Sequence, residues 1–162
     1  MALLNSPEEL EEYRKGVLAK RDPNSPCISI CVGAGCIASG ADRVMAAFEA
    51  EIQKQGLQAT VDTKGTGCPG FCERGPVVVI YPEEICYLGV TAEDVPEIVS
   101  ETIKKNRVVD RLLFVDPATG EKAVHESDIP FYKYQERMVF GANRRIDPKS
   151  FEDYLAIGGC QA

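Results

Sequence analysis

At 162 residues, 44% of them apolar, the chain is long enough for one well-buried domain plus a substantial extension. No stretch approaches the ~18 uninterrupted apolar residues of a membrane span. The N-terminus turns acidic at Glu8 without a basic region, so it reads as neither a signal nor a transit peptide, and a cytoplasmic protein with no membrane insertion is expected. The formal charge of −7 is uneven, with 11 Lys/Arg against 17 Asp/Glu in residues 1–110 and 7 against 8 in 111–162; such a surface repels phosphate backbones and argues against a nucleic-acid partner.

The first predicted helix opens at Ser6-Pro7-Glu8-Glu9, where Ser6 caps, Pro7 suits the first helical position and Glu9 completes a capping box. It runs to about Lys20, and Asp22-Pro23-Asn24-Ser25-Pro26 breaks it, so residues 1–24 form an N-terminal helix and linker. Cys27 to Val32 alternates with a period of two, predicting a strand with Ile28, Ile30 and Val32 on one face. After a glycine loop, Ser39 to Gln55 predicts a helix through Val44, Ala47, Phe48, Glu51 and Ile52, with Gly56 as its C-terminal cap and Glu51 as the one polar intruder. Leu57 to Thr63 predicts a second strand, and a second cysteine loop follows. Val77–Tyr81 and Ile85–Leu88 then form a hairpin around Pro82-Glu83-Glu84. Thr91, with Asp94 as its capping-box partner, starts a helix to about Asn106. The order β-α-β-loop-β-β-α is that of an α/β, thioredoxin-like mixed sheet with flanking helices, and it places both cysteine loops at one end of the sheet. Residues 111–162 differ in character, with a hairpin Leu112–Val124, an irregular stretch from Ile129 to Tyr134, and a helix from Asp147-Pro148 to Ile157 closed by Gly158-Gly159.

The chemistry lies in seven cysteines. Their odd number and the expected reducing compartment argue against a disulfide framework and for metal ligation. Four stand as two pairs, Cys31-Val-Gly-Ala-Gly-Cys36 and Cys68-Pro-Gly-Phe-Cys72. Four thiolates brought to one point hold either an iron-sulfur cluster or zinc. The glycines at 33, 35, 67 and 70 favour the cluster, because they let backbone N–H groups approach sulfur and stabilise the more negative reduced state. A dithiol oxidoreductase needs a C-x-x-C pair, which is missing. A Rieske centre needs two histidines, and only His125 exists. Gly33-Ala-Gly35-Cys-Ile-Ala38 matches a dinucleotide fingerprint, but Asp62 comes too late for its acidic residue, and the second cysteine loop would have no purpose. Cys27 competes by spacing alone, since Cys27-x3-Cys31 repeats Cys68-x3-Cys72. As strand cysteines, Cys27 and Cys86 are read as small buried hydrophobes. A zinc-stapled interaction module without redox activity is the rival from another class.

The pattern C-x4-C followed by C-x3-C in this element order resembles the thioredoxin-like 2Fe-2S ferredoxin domain of the NADH-dehydrogenase family. The tail, with Phe131-Tyr-Lys-Tyr-Gln135-Glu-Arg137, Gly141, Ile146-Asp147-Pro148, Tyr154 and Gly158-Gly159, resembles the lead-in segment of the NADH-binding flavoprotein subunit of respiratory complex I. Soluble relatives include NAD-linked hydrogenases, formate dehydrogenases, electron-bifurcating reductases and the benzoyl-CoA reductase electron-input module. The resemblance implies a ferredoxin domain over 25–110 with Cys31, Cys36, Cys68 and Cys72 as 2Fe-2S ligands, and a truncated lead-in to a flavin/NADH-binding domain over 111–162. It implies FMN, NAD(H) and a 4Fe-4S cluster in a downstream part of a longer protein, other redox subunits as partners, and electron transfer as part of an NAD(P)H-dependent oxidoreductase. The segment alone is then not catalytic. Cys160 stands where the family usually has tyrosine, and no role is assigned to it.

Overall fold

The computed structural model describes residues 4–161; residues 1–3 and 162, at the outer ends of the first and last expected segments, lie outside the described residues. Helix α1 (Pro7–Ala19) has the predicted cap, with Ser6 Oγ accepting from the Glu9 N–H, but the Glu9 carboxylate accepts from the Asn5 N–H at 2.7 Å instead of closing the expected capping box on Ser6. The core sheet has four strands in the order β2-β1-β3-β4: β1 (Cys27–Cys31), β2 (Asp62–Thr66), β3 (Val78–Tyr81) and β4 (Ile85–Tyr87). Strands β1 and β2 run parallel, while β3 is antiparallel to both β1 and β4, so the sheet is mixed. Because β1 and β2 are parallel, with Cys31 opposite Thr66, they finish at the same end of the sheet, and that is why the loops after Cys31 and Thr66 meet.

The pairing register sorts the strand residues onto two faces, because directly opposed residues point the same way. Ile28 and Ile30 share a face with Ile80, Val78, Ile85 and Tyr87. This face packs on α3 (Ala41–Lys54), through Val44, Phe48 and Ile52, and on the helical stretch 92–105. That stretch opens with the Thr91–Asp94 capping box, passes through α4 (Val95–Ile98) and continues as a π-helical turn, Val99–Ile103. The Tyr87 hydroxyl crosses the layer to Thr102 Oγ1 at 2.6 Å and accepts from the Val109 N–H at 3.0 Å. Tyr87→Phe would leave that buried N–H unpaired, so it is expected to cost about 1–3 kcal/mol, read as a lowered urea midpoint at unchanged slope.

The second face carries Cys27, Ser29 and Cys31 with Lys64, Val79, Tyr81 and Cys86, and the tail lies on it. Ser29 Oγ donates to the Arg144 carbonyl at 2.8 Å, Lys64 pairs with Asp153 at 3.0 Å, and the Arg145 guanidinium sits over the Tyr81 ring. The tail comprises the hairpin β5 (Phe114–Val115) and β6 (Lys122–Ala123), then α5 (Pro130–Lys133) and α6 (Phe151–Ala156).

Three boundaries differ from those the sequence predicts. The expected loop between Cys31 and Ser39 contains a helix, α2 (Ala34–Ala38), with Ile37 N–H bonded to the Gly33 carbonyl. Gly40 at φ +95 then turns the chain into α3, a conformation that L side chains rarely adopt. The second strand begins at Asp62 rather than Leu57, because Leu57 is spent on the helix end: its N–H reaches back to the Ile52 carbonyl past Gly56 at φ +68, a Schellman closure. The last helix starts at Phe151, capped by Ser150 Oγ on the Asp153 N–H, while Asp147 forms a turn instead. Among the described residues no helix is long and apolar enough to cross a membrane.

Candidate metal centre

Cys31 ends β1, Cys36 sits on α2, and Cys68 and Cys72 bracket the loop that follows β2. The structure brings all four together. Cys68 and Cys72 are 3.5 Å apart, sulfur to sulfur. Cys31 and Cys36 share a hydrogen bond that pushes Cys31 up and holds Cys36 down at about 6. The hydrogen bond with Cys68 likewise pushes Cys72 up.

The glycines interlock the two loops. A Cβ on Gly33 would stand 3.0 Å from the Cys68 Cβ and 3.5 Å from both the Cys31 and Cys68 sulfurs, and one on Gly35 would stand 3.0 Å from the Cys72 Cβ. The space a dinucleotide pyrophosphate would need at Gly33-Ala34-Gly35 is thus filled by the second cysteine loop. Backbone donors reach sulfur from Gly33 to Cys31, from Gly70 to Cys68 at 3.3 Å, and from Val77 to Cys36. Gly35 acts by its smallness, and Gly67 faces Asn143 of the tail rather than sulfur. The Val77 donor carries no sequence signal, since any residue except proline supplies an N–H.

Sequence reasoning also missed Gly75. A Cβ there would lie 2.7 Å from the Cys36 sulfur and 3.3 Å from the Cys72 carbonyl, so Gly75→Ala must displace a proposed ligand. It is expected to lower iron and sulfide content sharply, measured by chemical analysis of protein purified anaerobically. Gly89→Ala is the control: it has φ +61 with nothing within 4 Å, so it adds backbone strain of about 1–2 kcal/mol and leaves the centre filled.

The remaining cysteines stay apart. Cys27, at the opposite end of β1, faces Asp62 Oδ2 at 3.9 Å, and burial followed by the Asp62 charge pushes it up to about 11. Cys86 is fully buried and burial pushes it up strongly, while Cys160 is exposed on the tail. His125, exposed, contacts the Glu83 carbonyl through Nδ1 at 2.9 Å. Among the described residues no three His, Cys, Asp or Glu groups are arranged around a single metal-ion position. The four thiols form two pairs, a donor set that fits a two-iron group better than one tetrahedral ion. Cys31 and Cys36 are buried, whereas Cys68 is half-buried and Cys72 exposed.

A mixed α/β sheet with two facing thiol pairs at one edge defines the class: an iron-sulfur protein of thioredoxin-like architecture. The family model of the thioredoxin-like [2Fe-2S] ferredoxins matches residues 18–103, and the chain belongs to that family. A 2Fe-2S ferredoxin of Clostridium pasteurianum is 40% identical over 77 residues, covering 48% of this chain and 76% of the relative. A 2Fe-2S ferredoxin of Aquifex aeolicus is 42% identical over 80 residues, 48% of this chain and 71% of its own length. The crystal structure of the wild-type thioredoxin-like [2Fe-2S] ferredoxin from Aquifex aeolicus superposes with a TM-score of 0.53 at 33% identity, covering 57% of this chain and 99% of that one. The chain is accordingly a 2Fe-2S electron-transfer protein.

Proposed function

We propose that Cys31, Cys36, Cys68 and Cys72 hold the 2Fe-2S cluster and that the chain serves an NAD(P)H-linked flavin and iron-sulfur oxidoreductase, passing electrons between the flavin and a partner redox subunit. The observation that carries the ligand assignment is the interlocking of the two thiol pairs through Gly33 and Gly35, each of which sits against a cysteine of the other loop. When bound, the cluster supplies one-electron transfer. The protein's part is to hold the thiolates, to donate Gly33, Gly70 and Val77 N–H groups to sulfur, and to leave Cys72 open as the side from which a partner is reached. No residue has to act as general acid, base or nucleophile.

The flavoprotein context rests on the tail. Residues 25–110 are read as the ferredoxin domain and 111–162 as the lead-in to a flavin/NADH-binding part that would supply FMN, NAD(H) and a 4Fe-4S cluster. Tyr134, Met138, Val139 and Phe140 are exposed apolar side chains on one short stretch, the kind of surface that docks a protein partner. The experiment is a reductive titration of the purified chain under anaerobic conditions. It should take up one electron per two irons and two sulfides, and NADH alone should not reduce it, whereas NADH with a flavoprotein diaphorase should. Colourless protein with stoichiometric zinc would overturn the cluster assignment. Direct reduction by NADH without a flavoprotein would overturn the division of labour.

A further inference from the structure

The family match ends at residue 103, yet the tail beyond it builds against the second cysteine loop. Phe131 stacks on Phe71 with ring centroids 4.5 Å apart and planes 8° from parallel, and Tyr132 meets Phe71 edge-on at 5.6 Å. Asn143 closes on Gly67, where an added Cβ would stand 3.2 Å from its side chain and carbonyl. Phe71 lies between Cys68 and Cys72 in the chain, so these contacts grip the backbone that sets the position of both thiols.

Glu126 ties this stretch down. It is 2% exposed, its Oε2 accepts from the Arg144 guanidinium, and its Oε1 lies 3.8 Å from Arg137. Arg137 in turn covers the Tyr132 ring at 4.5 Å. The Arg144 carbonyl accepts from Ser29, two residues before Cys31. A carboxylate this deeply buried persists only beside its cations, so Glu126 fixes both arginines and, through them, the stretch from α5 to Arg144.

We propose that residues 126–145 are a fitted cover for the Cys68–Cys72 loop, with Glu126 as its positioning residue, and that this cover lowers the cluster's reduction potential and slows its loss in air. The inference rests on the reading that these thiols are ligands. Reduction adds negative charge to a thiolate-bound cluster, water stabilises that charge, and solvent exposure is one of the levers that sets the potential. Excluding water from one side of the loop therefore disfavours reduction, and it also restricts access of oxidants.

The decisive variant is Phe131→Ala, which changes no charge. Phe131 is 38% exposed, so truncation should leave the fold intact. Glu126→Gln tests the anchor, and Phe131→Leu tests rescue. Each full-length chain, loaded with cluster, is compared with the parent for iron and sulfide content, reduction potential, and half-life of visible absorbance in air. Phe131→Ala is expected to retain full content, to show a higher potential, and to bleach several-fold faster; Phe131→Leu should recover most of the difference. Glu126→Gln should bleach faster as well. A Phe131→Ala protein with full content and unchanged potential and half-life would overturn the cover. If instead the parent holds no cluster, or Cys68→Ser and Cys72→Ser both keep it with parental spectra, the ligand reading falls, and that outcome is read from content and spectra alone.

Discussion

Cys36→Ser protein, purified anaerobically, is expected to be colourless or to carry a cluster that bleaches during handling, while Cys27→Ser and Cys86→Ser remain coloured with two irons and two sulfides per chain. A closed four-thiolate site has no spare ligand, and nearby cysteines are badly placed to substitute. Cys27 lies at the far end of a five-residue strand from Cys31, about 13 Å of extended chain, with its sulfur turned to Asp62. Cys86 is on the second face of the sheet, two strands over from β1 and fully buried. Cys31→Ser, Cys68→Ser and Cys72→Ser should behave as Cys36→Ser does. Metal analysis and visible absorbance decide the matter. Loss of the cluster in Cys27→Ser with its retention in Cys31→Ser would show that Cys27 takes part and the assigned set is wrong.

Asp153→Ala is expected to release the C-terminal helix from the sheet and to destabilise the chain by about 2–4 kcal/mol, somewhat below the ~3–5 kcal/mol for breaking a fully buried ion pair because the Arg21 partner is 37% exposed. The carboxylate accepts from Arg21 at 2.5 Å, Lys64 at 3.0 Å and the Asp147 N–H at 2.8 Å, joining the linker after α1, strand β2 and helix α6. Burial alone would raise its pKa, but the Asp147 N–H, Lys64 and Arg21 outweigh that and hold it below the ordinary carboxylate value. With the folded value depressed, the stabilisation is complete above the unfolded carboxylate pKa of about 3.9 and is lost as pH falls through the folded value. Parent stability attributable to this group should therefore be flat from pH 7 to 5 and fall only under stronger acid. The Asp153→Ala chain should lack that component of the acid loss. Urea unfolding at several pH values measures it, and limited proteolysis near residues 145–150 should cleave the variant faster.

The fold order and the four cysteines were legible in the chain because each rests on short-range signals. Alternation from Cys27 to Val32, the Ser6 and Thr91 caps, and Gly56 at a helix end are all local preferences that packing did not overturn. Boundaries failed where two local demands competed for the same residues. Leu57 reads as strand by composition, yet the closure of the preceding helix consumed it. Ala34–Ala38 reads as loop because of its glycines, yet it forms five residues of helix that carry Cys36.

What the sequence determined by itself is the spacing of the two cysteine pairs along the chain and the mixed α/β order, since spacing and periodicity are properties of neighbours. Tertiary structure alone decided that Gly75 must be small, that Val77 supplies a donor to sulfur, and that Glu126 is a buried anchor. It also decided that the tail covers the second face of the sheet. Each of these depends on residues far apart in the chain whose proximity is set by the parallel pairing of β1 with β2 and by the path of the tail over β1. No local preference encodes a contact between Glu126 and Arg144, or between Phe71 and Phe131. Such contacts exist only after the sheet has fixed where both partners stand.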